Sequence, residues 1–587
     1  MEPVTGSIPA EKTEGDSLEE IPSLNLAAGG AGRDRGRRST RIAAWLGLAF
    51  IALACAGATV LTMMSLLTTG FFEVVPERTT LLSTTERMTL HQGLPSLSFV
   101  LGFLILFALL LVAARTWLAH FPTVNLAHFI GLYTLTVAVL WLLSLNATGD
   151  MYVYADSSSL FDAANAIVLH RTQDFAPDLQ GYPSLYDYFS WYPFQTGALL
   201  WIVLIFKLFG VGNIIAIQFV NAFLLAGIAW ALQRIGVALG LSGRGQRLEV
   251  LLLMTSVPFL MSPAFAYTNT AGMFFVVLAL LAALRAAKAQ RYPAAIGWTV
   301  ACFALGAFAV MIKGTVVIFL IAFALVLAVC ALRNRLFWLI PLDFALLFAA
   351  NKIAGLSVPV VEHLVGQRFG AGLPQLSWIA IGLTRASLET DMPGWWNATA
   401  VEAYKAAQGD PALQSETAKQ TIAAALGYFL GHPADAAQFF WQKLASEWSE
   451  PSYQTLYYSS LTERRANGTI ASRVLYGWTN GLLLSFENVH QSVVYLFSAI
   501  GLGCAFRRTR RRDAGDQESA TMLFLAMIFL GGAGCFLLWE AKSVYVLPFA
   551  VMLIPVAAYG LQHVDEALRH SGVAGRLAGA VAARRSH

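Results

Sequence analysis

Long apolar runs separated by short polar turns fill most of the chain. Each run is close to the roughly 20 residues that a bilayer-crossing helix needs. Twelve of them fall at about 43–67, 96–116, 125–146, 212–233, 248–266, 271–287, 293–311, 314–332, 336–354, 489–506, 520–539 and 543–561. The pattern predicts an all-α polytopic membrane protein, a bundle of about 12 transmembrane helices. Two long polar stretches interrupt it, at 147–211 and 355–488. The first reads DMYVYADSSSLFDAANAIVL and onward to SWYPFQTGALLWIVLIFKLFG, and holds Asp150, Asp156, Asp162, Asp174 and Asp187. The second carries Trp378, Trp395, Trp396, Trp441 and Trp448, the residue type that favours membrane interfaces. Within it, residues 421–448 have apolar positions at helical spacing and are expected to lie on the membrane surface.

The expected organisation follows from these runs. Residues 1–42, without apolar periodicity, form a disordered cytoplasmic tail. Residues 43–124 hold two N-terminal helices, 125–354 a helical core with 147–211 as its first loop, and 355–488 a large outside loop with interfacial helices. Residues 489–561 are the last spans and 562–587 a cytoplasmic tail.

Charge sets the orientation. Lys and Arg collect in short cytoplasmic loops, and Arg33, Arg35, Arg37, Arg38 and Arg41 precede the first run. With the N-terminus inside, Arg115, the 234–247 arginines, Arg285, Lys288, Arg291, Arg333, Arg335 and the 507–512 cluster also fall inside, and both long polar stretches fall outside. Residues 194–209 decide whether this holds. They are apolar, and counting them as a span would put every later basic cluster outside. They are therefore expected to lie in the outer interface, with Lys207 snorkelling; the alternative is an ordinary short span.

Composition agrees and narrows the classes. The chain of 587 residues is 57% hydrophobic and 13% charged, against about 25% charged in soluble domains. A net charge of +4, spread in clusters between apolar runs, does not suggest a nucleic-acid partner. The five cysteines lie inside apolar runs with no CxxC pair, which reads as buried small hydrophobes rather than disulfides or a metal site. No Walker loop, dinucleotide fingerprint or HExxH motif occurs.

Polar groups gather at the outer ends of the predicted helices. Asp150, Asp156 and Asp162 follow the third run. Tyr267 and Asn269 sit in the turn after the fifth, Lys313 in MIKGT after the seventh, and Glu540, Lys542 and Tyr545 in WEAKSVYVLP before the last. Each has a plain reading: Lys313 and Lys542 as interface anchors, Glu540 as their partner, residues 267–270 as a turn, Asp162 as a solvated or capping group. Taken together they suit a reaction at one membrane face. A carboxylate there can take a proton from an attacking hydroxyl or amine, and lysines can hold a phosphate leaving group.

In this order, the motifs resemble those of the polyprenyl-phosphate-dependent GT-C glycosyltransferases, close to the bacterial proteins similar to protein O-mannosyltransferases and lipid A aminoarabinose transferases. Asp156 with Phe161 and Ala164 is similar to that family's acidic signature after a helix. Tyr192-Pro193-Phe194 through Leu208-Phe209-Gly210 is similar to its proline segment and juxtamembrane helix. SPAFAYTNTAGMFF from Ser262, GHP from Gly431, and WEAKSVYVLPF from Trp539 resemble its later elements. The resemblance spans about 125–561. It departs at Ser157, where the family has a second acidic residue, and at Phe194, where it has a second proline; the first departure weakens a two-carboxylate metal site and keeps Asp150 as a rival to Asp156.

The resemblance implies an inverting transfer of a sugar from a polyprenyl-phosphate donor to an envelope acceptor: a lipopolysaccharide, a capsule or wall polymer, a glycolipid or a protein. It implies the cytoplasmic membrane, with the site on the extracytoplasmic face. Asp156 would be the base, with Asp150 and Asp162 as further candidates. Lys313, Lys542, Glu540 and Tyr545 would surround the donor phosphate, and Tyr154, Tyr192, Tyr267, Asn269 and His432 would line the substrate. It fixes no cofactor, and a divalent cation, Mg or Mn, stays open. The rival readings are a transporter or flippase for a lipid-linked envelope precursor, and a scaffold without catalysis.

Overall fold

In lipid, an apolar run can satisfy its own backbone N–H and C=O groups only by coiling into a helix or closing into a barrel. These runs coil. The computed structural model describes residues 28–72, 87–146, 156–177, 184–385, 392–462, 469–511 and 515–570, with the backbone alone for 28–40. Among the described residues, ten helices are long and apolar enough to cross a membrane: Arg41–Leu67, Leu97–His120, Thr123–Leu145, Ile214–Ala238, Asn269–Lys288, Tyr292–Ile312, Gly314–Asn334, Leu339–Val365, Trp478–Arg511 and Asp516–Leu538. The protein is an all-α polytopic membrane protein.

Two further expected runs, 248–266 and 543–561, are bent. Gly243–Thr255 meets Val257–Ala264 at 57°, and Ser543–Val551 meets Leu553–His570 at 46°. Prolines account for both breaks. Pro258 opens the second half of the first pair, and Pro548 and Pro555 flank the break in the second; each removes a helical donor and crowds the preceding turn.

A third pair, Leu185–Trp191 and Pro193–Phe209, turns through 104°. Tyr192, forced out of the helical region by the proline that follows it, has φ −126° and ψ 58°. The helix Thr196–Phe209 has 14 residues, about 21 Å of rise, short of a hydrocarbon core of about 30 Å. One hydrogen bond fixes its place. Asn146 Nδ2 donates to Gln218 Oε1 at 2.9 Å, so the end of Leu126–Leu145 meets the start of Ile214–Ala238. The chain between them leaves and returns at the same end of the bundle, and one crossing by 196–209 is excluded. The helix lies across that end instead. Ala198, Leu199, Ile202 and Phe206 pack against Phe161 in a hydrophobic cluster of their own, while Leu204, Leu208 and Phe209 stay exposed. Gly210 ends it with φ +107°, a conformation that glycine adopts without strain. With this helix lying down, the spans alternate so that Arg115, Arg247, Arg285, Arg333, Arg508 and Arg569 share the opposite end.

Several boundaries differ from expectation. The first helix begins at Ala28, inside the expected tail. The 489–506 run is the inner part of Trp478–Arg511, a single 34-residue helix, so the large loop ends earlier than 488. Residues 421–448 form two helices, Pro411–Gly431 and Pro433–Trp448, because Pro433 suits a first helical turn but not a helix interior. The second is not superficial: Lys443, Ala445, Ser446, Glu447 and Trp448 are buried. A two-stranded antiparallel hairpin, Thr68–Phe72 with Met88–Gln92, was not foreseen. Phe72 on it packs on Trp395 and Tyr457, with ring centroids 5.6 and 5.5 Å apart.

This arrangement predicts a labelling pattern. Cysteines replacing the exposed Gln173 and Lys419 react together with an impermeant maleimide, and one replacing the exposed Gln290 reacts only from the other side. Labelling of Gln173→Cys alongside Gln290→Cys would show that 196–209 crosses after all.

Candidate functional site

Asp156 is the first residue of the helix Asp156–Val168. Its carboxylate therefore stands at the positive end of the helix dipole, which favours an anion. Leu160, Phe161, Ala163 and Ala164 bury that helix, and Asp156 itself is half-buried. Tyr267 Oη donates to Asp156 Oδ2 at 3.5 Å, the long limit of a hydrogen bond, and accepts from Gln195 Nε2 at 2.6 Å. Burial, and then the Asp156 carboxylate, push the Tyr267 phenol well above its usual range, so it remains a donor. Tyr188, also buried, lies beside the same carboxylate.

Lys313 closes the other side. It ends the helix Tyr292–Ile312 in an extended conformation. Its ammonium lies 4.6 Å from the centre of the Tyr267 ring and 5.3 Å from that of Tyr545, both within cation–π range. Gly272 makes room for it: a Cβ there would stand 2.6 Å from Lys313 Cβ. Withdrawal from solvent pulls the Lys313 ammonium down to about 8, opposed by Asp156 and Glu540 and reinforced by Lys542.

The segment 539–542 completes the group. Ala541 pairs with Trp395 in a parallel bridge, and Ala541 N donates to Gly394 O at 2.7 Å. This presents a buried Glu540 and a half-buried Lys542 to Lys313 and Tyr545. Residues distant in sequence thus meet at one end of the bundle, the end from which the 147–213 chain leaves and to which it returns.

The arrangement also recruits groups that the sequence reading passed over. Lys443 is fully buried and donates to Gly382 O at 2.6 Å and Trp539 O at 2.7 Å. Burial lowers it to about 8, with Glu447 and Glu540 working the other way. Glu447, one turn on, is pushed well above the carboxylate range by burial. Glu450 is raised to about 6 by burial, partly offset by bonds from Ser452 and Gln454. The signal was present as Lys443, Glu447 and Glu450 at helical spacing in WQKLASEWSE. Periodicity alone, which placed 421–448 on the membrane surface, does not say which face is buried. Gln195 had a signal too, as the one amide opening an otherwise apolar run.

The other expected residues are placed as follows. Asp150 and Tyr154 lie outside the described residues. Asp162 is exposed, on another face of the helix from Asp156. Asn269 begins the helix Asn269–Lys288, and its buried Oδ1 has no hydrogen-bond partner among the described residues. It lines a small cavity with Phe265, Tyr458 and Val544. Tyr192 is buried in an aromatic chain through Trp378 to Trp539, with centroids 6.0 and 6.4 Å apart. His432 is exposed at the break between two helices, stacked on Tyr428, roughly 16 Å of helix rise from Lys443; it is not brought to the site. Among the described residues, no group of three or more His, Cys, Asp or Glu could hold a metal ion.

No family model, curated protein or solved structure matches the chain.

Lys443 supports the site through two carbonyls, which gives a stability prediction. Lys443→Met leaves Gly382 O and Trp539 O without their donor, at about 1–3 kcal/mol for each buried group. Thermal unfolding in detergent should show a clear drop in midpoint, against little change for the exposed control Lys419→Met. An unchanged Lys443→Met midpoint would remove it from this role.

Proposed function

We propose that the chain is a membrane glycosyltransferase that moves a sugar from a polyprenyl-phosphate donor to an envelope acceptor, and that the Asp156–Lys313–Glu540–Lys542 group is its active site. One observation carries the reading: a carboxylate and two lysines from three distant segments face each other across Tyr267 and Tyr545 at one end of an apolar bundle. The order of motifs from Asp156 to the WEAKSVYVLPF segment supports it as well.

In this reading the acceptor hydroxyl oxygen attacks the anomeric carbon of the sugar. Asp156 takes the hydroxyl proton. The bond from the anomeric carbon to the phosphate oxygen breaks, and polyprenyl phosphate leaves with the electron pair. Lys313 and Lys542 stabilise the charge that develops on it, at a site walled by aromatic side chains where such stabilisation counts for most. Tyr267, held protonated, orients the Asp156 carboxylate, and Gln195 fixes Tyr267. The polyprenyl chain runs in the bilayer beside the bundle. The face that carries the site is extracytoplasmic by the distribution of arginines.

A second reading has its own support. Glu249 is fully buried, with no hydrogen-bond partner for either oxygen among the described residues, and an isolated carboxyl inside a span is a usual mark of a proton-coupled transporter. It predicts that Glu249, not Asp156, is essential.

Membranes carrying each variant, assayed with radiolabelled polyprenyl-phosphate sugars, separate the two. Asp156→Asn should lose about 10²–10⁴ in transfer rate, and Asp162→Asn and Glu249→Gln much less. Full transfer by Asp156→Asn would end its role as base, and absence of transfer in the wild type with proton-coupled uptake into proteoliposomes lost only in Glu249→Gln would favour transport.

Lys313 supplies a pH test. Its folded value of about 8 lies below that of a free lysine, so the ammonium is present below pH 8 and is lost above it. The ratio kcat/KM for the donor, which follows the free enzyme, should fall about tenfold per unit above pH 8. Lys313→Arg, whose guanidinium does not titrate in this range, should flatten that limb. A wild-type profile level to pH 9.5 would contradict a donor-binding ammonium at Lys313.

A further inference from the structure

At the end of the bundle remote from Asp156, a cavity of about 430 Å³ is lined by Ala114, Arg115, Ala119, Arg244, Arg247 and Arg569. The four arginines come from three separate elements, Leu97–Arg115, Gly243–Thr255 and Leu553–His570. Topology alone accounts for arginines scattered over this face. It does not account for four of them turned onto one cavity, where their like charges repel.

Among the described residues, one carboxylate bonds these arginines. Asp565, buried, accepts from both Arg115 and Arg569. Arg247 donates a terminal nitrogen to the carbonyls of Ala119 and Phe121, at 3.2 and 3.4 Å, while its buried Nε has no partner among the described residues. Arg244 is exposed. Arg244 and Arg247 also stand near the start of the helix Gly243–Thr255, whose first turn has no acidic residue. Cations at that end oppose the helix dipole, so an anion seated there would relieve the dipole and the guanidinium repulsion together.

The chemistry of that anion can be narrowed. Guanidinium forks match the paired oxygens of a phosphate better than they match a point anion. A volume of about 430 Å³ exceeds what a bare ion fills and falls in the range of small-molecule sites, roughly 300–1,000 Å³. The cavity lies at the ends of spanning helices, level with lipid headgroups, and its alanines at 114 and 119 leave space beside the arginines.

We propose that this cavity binds the phosphate of an anionic membrane lipid headgroup. The site is independent of the transferase reading, because it is formed by the other end of the bundle. It clamps the second, bent fifth and bent twelfth spans, so its occupation stabilises the fold.

The test uses the full-length protein in nanodiscs of phosphatidylcholine, alone or with phosphatidylglycerol. Phosphatidylglycerol should raise the unfolding midpoint of the wild type by several degrees, and likewise that of Arg291→Gln, an exposed arginine on the same face outside the cavity. The double variant Arg244→Gln with Arg569→Gln should lose most of that shift. Should the loss of the Arg569–Asp565 bond unfold the double variant, Arg244→Gln alone, an exposed change, should still retain fewer phosphatidylglycerol molecules by native mass spectrometry. Equal shifts in the variants and the wild type would overturn the site. A shift of the same size from millimolar inorganic phosphate in detergent would overturn the lipid assignment in favour of a free anion.

Discussion

An ammonium at the rim of an apolar bundle needs partners, because desolvating a charge is costly unless nearby groups compensate it. Lys313 meets that constraint with two aromatic faces, Tyr267 and Tyr545, and with two carboxylates, Asp156 and Glu540. Much of the site's architecture follows. Tyr267 must be buried to offer its ring, so its hydroxyl needs partners, which Gln195 and Asp156 supply. Gly272 must lack a side chain for the lysine stem to pass. The 539–542 segment must run extended to bring Glu540 to the same point, and it is held there by Gly394 and Lys443.

The lying helix Thr196–Phe209 is what makes this end of the bundle a site rather than a bare rim. It gives the helix Asp156–Val168 an apolar surface to pack on, through Phe161 against Phe206 at 6.0 Å. Helix Asp156–Val168 is thereby fixed, and with it the direction in which its first residue points. Pro193 and Gly210 bound the lying helix at its two ends: the first bends the chain by removing a donor, the second by adopting a positive φ. On another flank the hairpin Thr68–Phe72 with Met88–Gln92 packs through Phe72 and Met88 in a cluster with Trp395, Tyr457 and Ala541, and Trp395 Nε1 donates to Ser446 Oγ in Pro433–Trp448.

The spans were legible in the sequence because lipid leaves an apolar run of about 20 residues little choice but a helix. The orientation of Thr196–Phe209 was legible from charge alone, and Asn146 bonded to Gln218 agrees with it. Asp156, Lys313, Glu540 and Lys542 were visible as charges at span ends, where the cost of a charge makes it conspicuous. Lys443 and Glu447 were not, because an i, i+4 Lys–Glu pair on an amphipathic helix looks the same whether it faces water or the bundle. The break at His432 and the hairpin after Leu67 were missed for a related reason: both depend on local turn chemistry and tertiary contacts rather than on the hydrophobic period.

On the proposed function, Lys313 and Lys542 receive the phosphate of a polyprenyl carrier. An experimental structure of the protein in nanodiscs with bound polyprenyl phosphate tests it most directly. Phosphate density is expected within hydrogen-bonding distance of Lys313 or Lys542 Nζ, with the polyprenyl chain leaving into the bilayer beside the bundle. Phosphate density only among Arg115, Arg244, Arg247 and Arg569 at the opposite end, or a carrier chain bound away from both lysines, would contradict it.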